Sequence, residues 1–227
     1  MTNKSSAQRA AVRFGRPPKR LAGAVEERIL GAARKVFLER GFEGSSIEEI
    51  AEAARSGKPT IYARFPGKEA LFTAVVMQSV AANTARVETL TPTGATIEER
   101  LESVAVAVLQ RILASDVIGL IRVAIAESHR FPDLASSVYT MARERGAQAV
   151  ARLLAETAQS GELGTLRAFV PELLTTTTRF FQDVVLFPPL LRALFGEKLK
   201  QLCAEIRPHV TRSVAFFLTA CQHGGVN

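Results

Sequence analysis

The amino-acid sequence predicts an all-α protein. Apolar residues recur at helical spacing through most of the chain, as in the series Val25, Ile29, Ala32 and Val36, which places them on one face of an α-helix. Alternating runs typical of β-strands are scarce. At about 150 residues per domain, the 227 residues correspond to one large domain or two small ones. The hydrophobic fraction of 47% supplies enough apolar material for a core.

The N-terminal segment is predicted to be a flexible basic arm. Residues 1–24 contain six basic side chains, no acidic ones, two glycines and two prolines, a composition that disfavours a continuous helix. From Val25 a helical pattern runs to Gly41, a residue type that commonly ends helices.

Two short helices and a long one are expected next. Ser46–Glu49 has the spacing of a capping box, which predicts a helix start. Another short helix can begin at Ser56 or Gly57, with Pro59 in its first turn, where proline is tolerated. An amphipathic stretch over residues 68–90 predicts the long helix.

The remainder of the chain again predicts helices only. The expected segments are residues 97–114, 117–129, 133–159, 171–186 and 197–222. Pro208 falls within the last of them, so it marks either a kink or the first turn of a shorter final helix. These boundaries divide the chain into a basic arm (1–24), a three-helix domain (25–70) and a larger helical domain (71–227).

Most of the net charge lies near the N-terminus. The chain carries a formal charge of +7, and residues 1–70, with 14 Lys and Arg against 8 Asp and Glu, account for +6 of it. A local basic excess favours a polyanionic partner over a general solubility role.

Other features argue against membrane and secreted proteins. No stretch approaches the roughly 18 consecutive apolar residues of a membrane helix, and the N-terminus has no apolar signal segment. Cys203 and Cys221 would stand about 27 Å apart on one helix, too far for a disulfide. We therefore expect a cytoplasmic protein with no membrane partner, which would associate with the nucleoid if its polyanionic partner is DNA.

Residues 46–65 predict a helix-turn-helix, in which the second helix enters the major groove of DNA and the first braces it. Basic side chains contact phosphates or guanine edges, hydroxyls bond bases or phosphates, and methyl groups touch thymine. The outward residues of the second helix have these chemistries: Lys58, Pro59, Thr60, Tyr62, Ala63 and Arg64. Helix starts at Ser46 and near Lys68 add amide donors for phosphates. The alternative is a helix pair that only packs.

The arm carries one further candidate for DNA binding. Gly15-Arg16-Pro17 is similar to short hooks whose arginine enters a narrow minor groove. Arg16 is therefore a candidate contact, and a merely solvated arm is the alternative.

A set of motifs between residues 25 and 75 recurs together in one known family. These motifs are Ile29-Leu30, Arg40-Gly41-Phe42, Ser46-Ile47 and, above all, the stretch Thr60–Leu71. Together they resemble the DNA-binding domain of the TetR/AcrR family of transcriptional regulators. This resemblance implies a three-helix DNA reader, a variable helical ligand-binding domain and a homodimer closed by the last two long helices.

The resemblance also implies roles for individual residues. Ser46, Tyr62 and Lys68 take the phosphate-contact positions, and Lys58 and Thr60 take base-facing ones. The turn departs from the family, because Arg55-Ser56-Gly57-Lys58 replaces the common Gly-Val-Ser-Lys. Arg64 stands where histidine is frequent. These departures bear on the geometry of the turn and on base preference.

Two further sets of candidates lie in the larger domain. Aromatic, polar and charged residues that could line a ligand pocket are Arg122, His129, Phe131, Tyr139, Met141, Phe180 and Asp183. Apolar residues of the last two long helices that could form a dimer interface are Phe181, Val184, Val214, Phe217 and Leu218. Ordinary core or solvated surface is the alternative for each.

Catalytic and metal sites are not indicated. The three histidines are far apart in sequence, the two cysteines lack metal spacing, and no phosphate-binding loop or nucleophile elbow is present. We therefore expect no enzyme activity, cofactor or metal.

The leading hypothesis is a homodimeric regulator, most simply a repressor that an unknown small-molecule effector releases from a double-stranded DNA operator. The alternatives are an activator of the same fold, a nonspecific architectural DNA-binding protein, and an enzyme with a regulatory first third.

Overall fold

The computed structural model describes residues 19–159 and 167–223. All regular structure in these ranges is helical, which confirms the predicted fold class. The α-helices are α1 (Lys19–Arg40), α2 (Ile47–Ala53), α3 (Lys58–Tyr62), α4 (Lys68–Glu88), α5 (Ile97–Ile112), α6 (Ser115–Ala126), α7 (Pro132–Gln159), α8 (Pro171–Phe181), α9 (Phe187–Leu194) and α10 (Leu199–Gln222). A 3-10 turn, Arg167–Phe169, precedes α8, and a π-helical segment, Gln182–Leu186, joins α8 to α9.

Helix α1 begins at Lys19, earlier than the start at Val25 expected from the apolar pattern. Five of the six added residues, 19–24, are lysine, arginine, leucine or alanine, which favour helix, and Gly23 is tolerated among them. Residues 19–24, which were predicted to belong to the arm, are therefore helical, and residues 1–18 lie outside the described residues. Arg16 lies outside the described residues.

The C-terminal part contains one helix that the sequence did not predict. Pro188 and Pro189 lie in the first turn of α9, where the amide groups that proline lacks would have no partner within the helix. The pair therefore starts a helix, whereas we expected it to separate two. Pro208 lies inside the continuous α10, so the shorter final helix is excluded.

Two apolar cores organise the described residues. The first joins α1 to α4 with residues of α6 and α7, including Leu120, Ala124 and Leu134. The second joins α5, α8 and α10 with parts of α7 and α9. The three-helix unit therefore does not close its core alone, because the larger helical region contributes side chains to it.

Within the described ranges, no single helix is both long and apolar enough to cross a membrane. The pair α5 and α6, bent by 65°, reaches that length and composition only when the two are taken together.

Candidate nucleic-acid interface and internal cavity

The capping box predicted at the start of α2 is present. The Glu49 amide donates to Ser46 Oγ at 3.2 Å, and the Ser46 amide donates to Glu49 Oε2 at 3.1 Å. Ser46 Oγ also donates to that carboxylate at 3.3 Å. The hydroxyl predicted to contact a phosphate thus already has partners within the chain, and it fixes where α2 begins.

A Schellman motif closes the turn between α2 and α3. The Ser56 amide donates to the Ala51 carbonyl at 2.9 Å, and the Arg55 amide donates to the Glu52 carbonyl at 3.0 Å. Arg55 has a φ of 45°, in the left-handed region that favours glycine. Gly57, with a φ of −73°, is the N-cap of α3 and does not need glycine's freedom. The glycine of this turn comes two positions too late, so Arg55 adopts the left-handed conformation that a glycine would adopt at lower cost.

We expect Arg55→Gly to stabilise the protein by about 1 kcal/mol, because an L-residue in the left-handed region costs about 1–2 kcal/mol and the added unfolded-state entropy offsets part of the gain. Thermal melting followed by circular dichroism measures this. Arg55→Ala is the matched control, since it removes the same side chain and keeps the strain. Equal melting temperatures for the two variants would contradict this account of the turn.

Helix α3 exposes most of the residues predicted to read DNA. Lys58, Pro59, Tyr62 and Ala63 are exposed, Tyr62 at 51%, and Thr60 is half-buried. In the following turn, half-buried Arg64 donates from Nη1 to the Thr60 carbonyl at 3.1 Å. These predicted contacts therefore share one short element and the turn after it. Their individual roles stay predictions.

Lys58 forms an ion pair with Glu48, with Nζ 2.6 Å from Oε1. The hydrogen bond lowers the pKa of Glu48 and raises the pKa of Lys58. Both side chains are exposed, so solvent screens the pair and it adds little to stability. In the free protein Glu48 therefore partly neutralises a cation that phosphates could bind.

Lys68 has a structural role that the sequence did not indicate. Its Nζ donates to the Phe42 carbonyl at 2.8 Å and to the Ser45 carbonyl at 2.9 Å. It also lies 4.4 Å from the centroid of the Phe42 ring. The first turn of α4 thereby fixes the loop between α1 and α2, whether or not Lys68 also contacts a phosphate.

A cluster of phenylalanines connects this loop to the larger helical region. The Phe42 ring lies 5.1 Å from both the Phe72 and Phe131 rings, measured between centroids. Phe131 precedes α7, and its neighbour Arg130 pairs with Glu43 and Glu69. Phe131, a predicted pocket residue, thus belongs to the core beneath the candidate DNA-reading unit.

A cavity of about 340 Å³ lies among α4, α5, α6, α7, the π-helical segment and α9. Its wall is mainly aliphatic, as Val80, Val108, Leu120 and Leu190 illustrate. This volume lies within the range of small-molecule sites, which are predominantly apolar with few polar groups.

Among the residues predicted to line a pocket, Tyr139 lies on the wall of this cavity. Asp183 is not on the wall, but it pairs with Arg143, a wall residue, through hydrogen bonds of 2.7 and 3.1 Å.

The structure places the other five predicted pocket residues away from the wall of the cavity. Arg122 donates to carbonyls at the end of α9, Phe131 belongs to the phenylalanine cluster, Phe180 is 47% exposed, and His129 and Met141 are not on the wall.

The predicted dimer residues are mostly inside a single chain. Phe181, Val214 and Phe217 are buried in the second core, with Leu218 at its edge and Val184 packed against it. Side chains buried within one chain cannot pack against a second copy, so Phe181, Val214 and Phe217 are corrected from interface to core. The interface role of Val184 and Leu218 stays a prediction. The exposed apolar side chains on α8 and α10 are their neighbours Phe180, at 47%, and Phe216, at 66%.

No group of three or more histidine, cysteine, aspartate or glutamate side chains within the described residues is arranged to hold a metal ion. Cys203 is exposed, while burial raises the pKa of the Cys221 thiol to about 11.

Comparison with known protein families identifies the family to which the chain belongs. A sequence profile of the tetR family of bacterial regulatory proteins matches residues 29–75. A profile of the C-terminal domain of AefR-like transcriptional repressors matches residues 99–222, more than half of the chain. The chain belongs to the TetR family. It is a DNA-binding transcriptional regulator and not an enzyme.

Curated relatives of this TetR-family regulator match only its N-terminal part. RutR from Escherichia coli K12 is 42% identical over 59 residues, which are 26% of this chain and 28% of RutR. UidR from the same strain is 41% identical over 51 residues, which are 22% of this chain and 26% of UidR. The chain thus matches less than a third of the length of these relatives.

Solved structures extend the similarity across the chain. A crystal structure assigned to the TetR family, from Mesorhizobium loti MAFF303099, has a TM-score of 0.76 and 25% identity and covers 88% of this chain and 97% of its own. The flavonoid-responsive regulator FrrA has a TM-score of 0.60 and 28% identity, over 87% of this chain and 97% of FrrA. GusR of Salmonella enterica, 20% identical with a TM-score of 0.61 over 92% of this chain and 99% of GusR, shares the fold.

Proposed function

We propose that this TetR-family regulator is a homodimeric repressor that acts in the cytoplasm and leaves its operator when a small molecule fills the cavity. The observation that carries the proposal is the course of α4. It begins at Lys68, which fixes the loop beside α2, and it lines the cavity at Val76, Ser79 and Val87. One continuous helix therefore links the DNA-reading unit to the cavity.

The relatives support the finer parts of this proposal. The profile that matches residues 99–222 describes a transcriptional repressor. FrrA, similar over 87% of this chain, is described as responsive to flavonoids. Both properties belong to those proteins, and they make repression and small-molecule control reasonable expectations here.

Ligand control can act through the spacing of two recognition helices. In a symmetric dimer they enter major grooves about 34 Å apart, or a multiple of that. A ligand that prefers a conformation with another spacing shifts the population away from DNA binding, by as much as its affinities for the two conformations differ. Besides α4, the Arg130 contacts with Glu43 and Glu69 provide a second link between the two regions.

The exposed apolar side chains of α8 and α10 support a dimer. Phe180 and Phe216 offer large apolar surfaces on these helices, and packing them against a second copy would remove those surfaces from water. Analytical ultracentrifugation of the full chain should give the mass of two copies. A monomer at micromolar concentration would contradict the proposal.

DNA binding is tested with duplexes from the region upstream of the protein's own gene. Fluorescence anisotropy at physiological salt should show binding at least about a thousandfold tighter than to random duplex, as is typical of specific regulators. Equal binding to both would contradict the proposed operator recognition. A reporter gene controlled by the same region should be more active when the regulator is absent.

Two substitutions in α3 separate phosphate contact from base reading. We expect Tyr62→Phe, which removes only a hydroxyl, to weaken binding to all sequences by a similar factor. Thr60→Ala should instead change the preference at one base position, costing about 1–3 kcal/mol there. Anisotropy with an operator, its single-base variants and random duplex measures both effects. If Thr60→Ala weakens all duplexes equally, its base-reading role is wrong.

A further inference from the structure

The wall of the cavity contains one buried polar atom without a partner. Gln182 is 3% exposed and lines the cavity, and its Oε1 accepts no hydrogen bond. A buried acceptor of this kind is costly to leave unpaired. It therefore marks a point where an occupant of the cavity can gain a hydrogen bond.

The orientation of the Gln182 amide is fixed by its other end. Nε2 donates to the Arg143 carbonyl at 3.1 Å. A carbonyl can only accept, so the nitrogen must stay on that side and Oε1 remains an acceptor. Gln182 also begins the π-helical segment, a type of irregularity that is frequent at functional sites.

Two other polar side chains on the wall donate hydrogen bonds within the chain. Asn83 Nδ2 donates to the Ser79 carbonyl at 3.0 Å, and Thr84 Oγ1 donates to the Val80 carbonyl at 3.0 Å. Both bonds stay within α4. Unlike these two donors, the buried Gln182 Oε1 has no partner.

The side chain of Arg143, whose carbonyl Gln182 contacts, is paired. Arg143 makes two hydrogen bonds to Asp183, at 2.7 and 3.1 Å, and its guanidinium lies 4.9 Å from the Phe187 ring centroid. Arg111 also lines the cavity, but it borders a second depression that Arg86 and Asp116 line as well. At Gln182 the wall therefore offers an unpaired acceptor, which suits a hydrogen-bond donor and repels the oxygen atoms of a carboxylate.

We infer that the cavity binds an uncharged, mainly apolar molecule that carries a hydroxyl group, and that this hydroxyl donates to Gln182 Oε1. The inference rests on the proposed ligand-binding role of the cavity and names the class of ligand. A carboxylate has no proton to donate at neutral pH, and an ether has none at any pH, so neither can satisfy this oxygen.

Three probes of matched shape test the inference on the full-length protein. They are 4-phenylphenol, which carries a hydroxyl, 4-methoxybiphenyl, which cannot donate, and biphenyl-4-carboxylate, which is anionic. Isothermal titration should show 4-phenylphenol binding about tenfold more tightly than 4-methoxybiphenyl, because only the phenol satisfies the buried acceptor. The carboxylate should bind more weakly than the phenol.

Gln182→Met removes the acceptor while keeping a similar length. In this variant the preference for the phenol over the ether should fall to about one. Asn83→Leu is the matched control, since it removes another amide from the wall and should leave the preference intact. The probe series on the unaltered protein gives a result even if Gln182→Met fails to fold.

The outcomes separate this inference from the proposed function. Equal binding of phenol and ether, tighter binding of the carboxylate, or a preference that persists in Gln182→Met would overturn the inference while leaving a ligand-binding cavity in place. Failure of all three probes to bind, in a protein that still recognises its operator, would count against the cavity as a ligand site and so against both.

Discussion

Phe42→Ala is expected to lower the free energy of unfolding by about 3–5 kcal/mol, the usual cost of removing a buried aromatic ring. The Phe42 ring is 1% exposed and lies among Phe37, Phe72 and Phe131 at centroid distances of 6.1, 5.1 and 5.1 Å. Because this core joins the DNA-reading unit to α7, the loss should affect both regions. Denaturant unfolding followed by circular dichroism measures it.

A second substitution at Phe42 distinguishes the contribution of apolar packing from that of the cation–π contacts. Lys68 Nζ lies 4.4 Å and the Arg130 guanidinium 4.9 Å from the centroid of the Phe42 ring. Phe42→Leu keeps most of the apolar volume but loses the aromatic face, so it should cost roughly 1–2 kcal/mol. Tyr62→Ala removes an exposed aromatic and should change stability by less than about 0.5 kcal/mol. A Phe42→Ala protein as stable as the Tyr62→Ala protein would contradict the central role of this ring.

Local chemistry made the N-terminal elements predictable. Ser46 and Glu49 define the start of α2 through atoms only three residues apart, so their spacing alone indicates the capping box. Gly57 and Pro59 likewise indicate the start of α3. Signals of this kind depend on neighbours along the chain and need no knowledge of the fold.

Contacts across long stretches of chain could not be predicted in this way. The Lys68 ammonium finds its acceptors on residues that precede it by 26 and 23 positions, and Gln182 meets the Arg143 carbonyl 39 positions away. The family resemblance therefore indicates only a phosphate contact for Lys68, because its bonds to the loop depend on the folded chain. No sequence pattern indicates Gln182, because its importance comes from the burial of an oxygen atom that has no hydrogen-bond partner.

The sequence pattern of the larger domain likewise does not determine which candidate residues face the core, the cavity or the surface. Phe180 and Phe181 are adjacent, so a helix points them about 100° apart, and the pattern cannot say which of them faces the core. The structure buries Phe181 and exposes Phe180. The cavity wall is similarly set by which helices meet, so a choice by residue type found Tyr139 and missed Val80 and Gln182.

Ile61→Ala is expected to weaken DNA binding by at least about tenfold, although this side chain points away from the surface that would meet DNA. Helix α3 has five residues, too few to be stable alone. Among its side chains only Ile61, at 0% exposure, is buried, so it is the main apolar anchor of the helix. Losing it should cost about 2–5 kcal/mol and leave α3 partly undocked.

Two comparisons distinguish undocking of α3 from loss of a contact. Ile61→Val keeps most of the anchor and should cost about 0.5–1.5 kcal/mol, with a correspondingly smaller loss of affinity. Tyr62→Ala removes a neighbouring exposed side chain and should weaken binding without lowering the melting temperature. Since undocking reduces the population able to bind, Ile61→Ala should weaken specific and random duplexes together. If Ile61→Ala instead melts like the unaltered protein, or changes preference at one base position, α3 is not held by its single buried side chain. Its orientation must then come from the Schellman turn and from Phe65, which follows the helix and is buried in the first core.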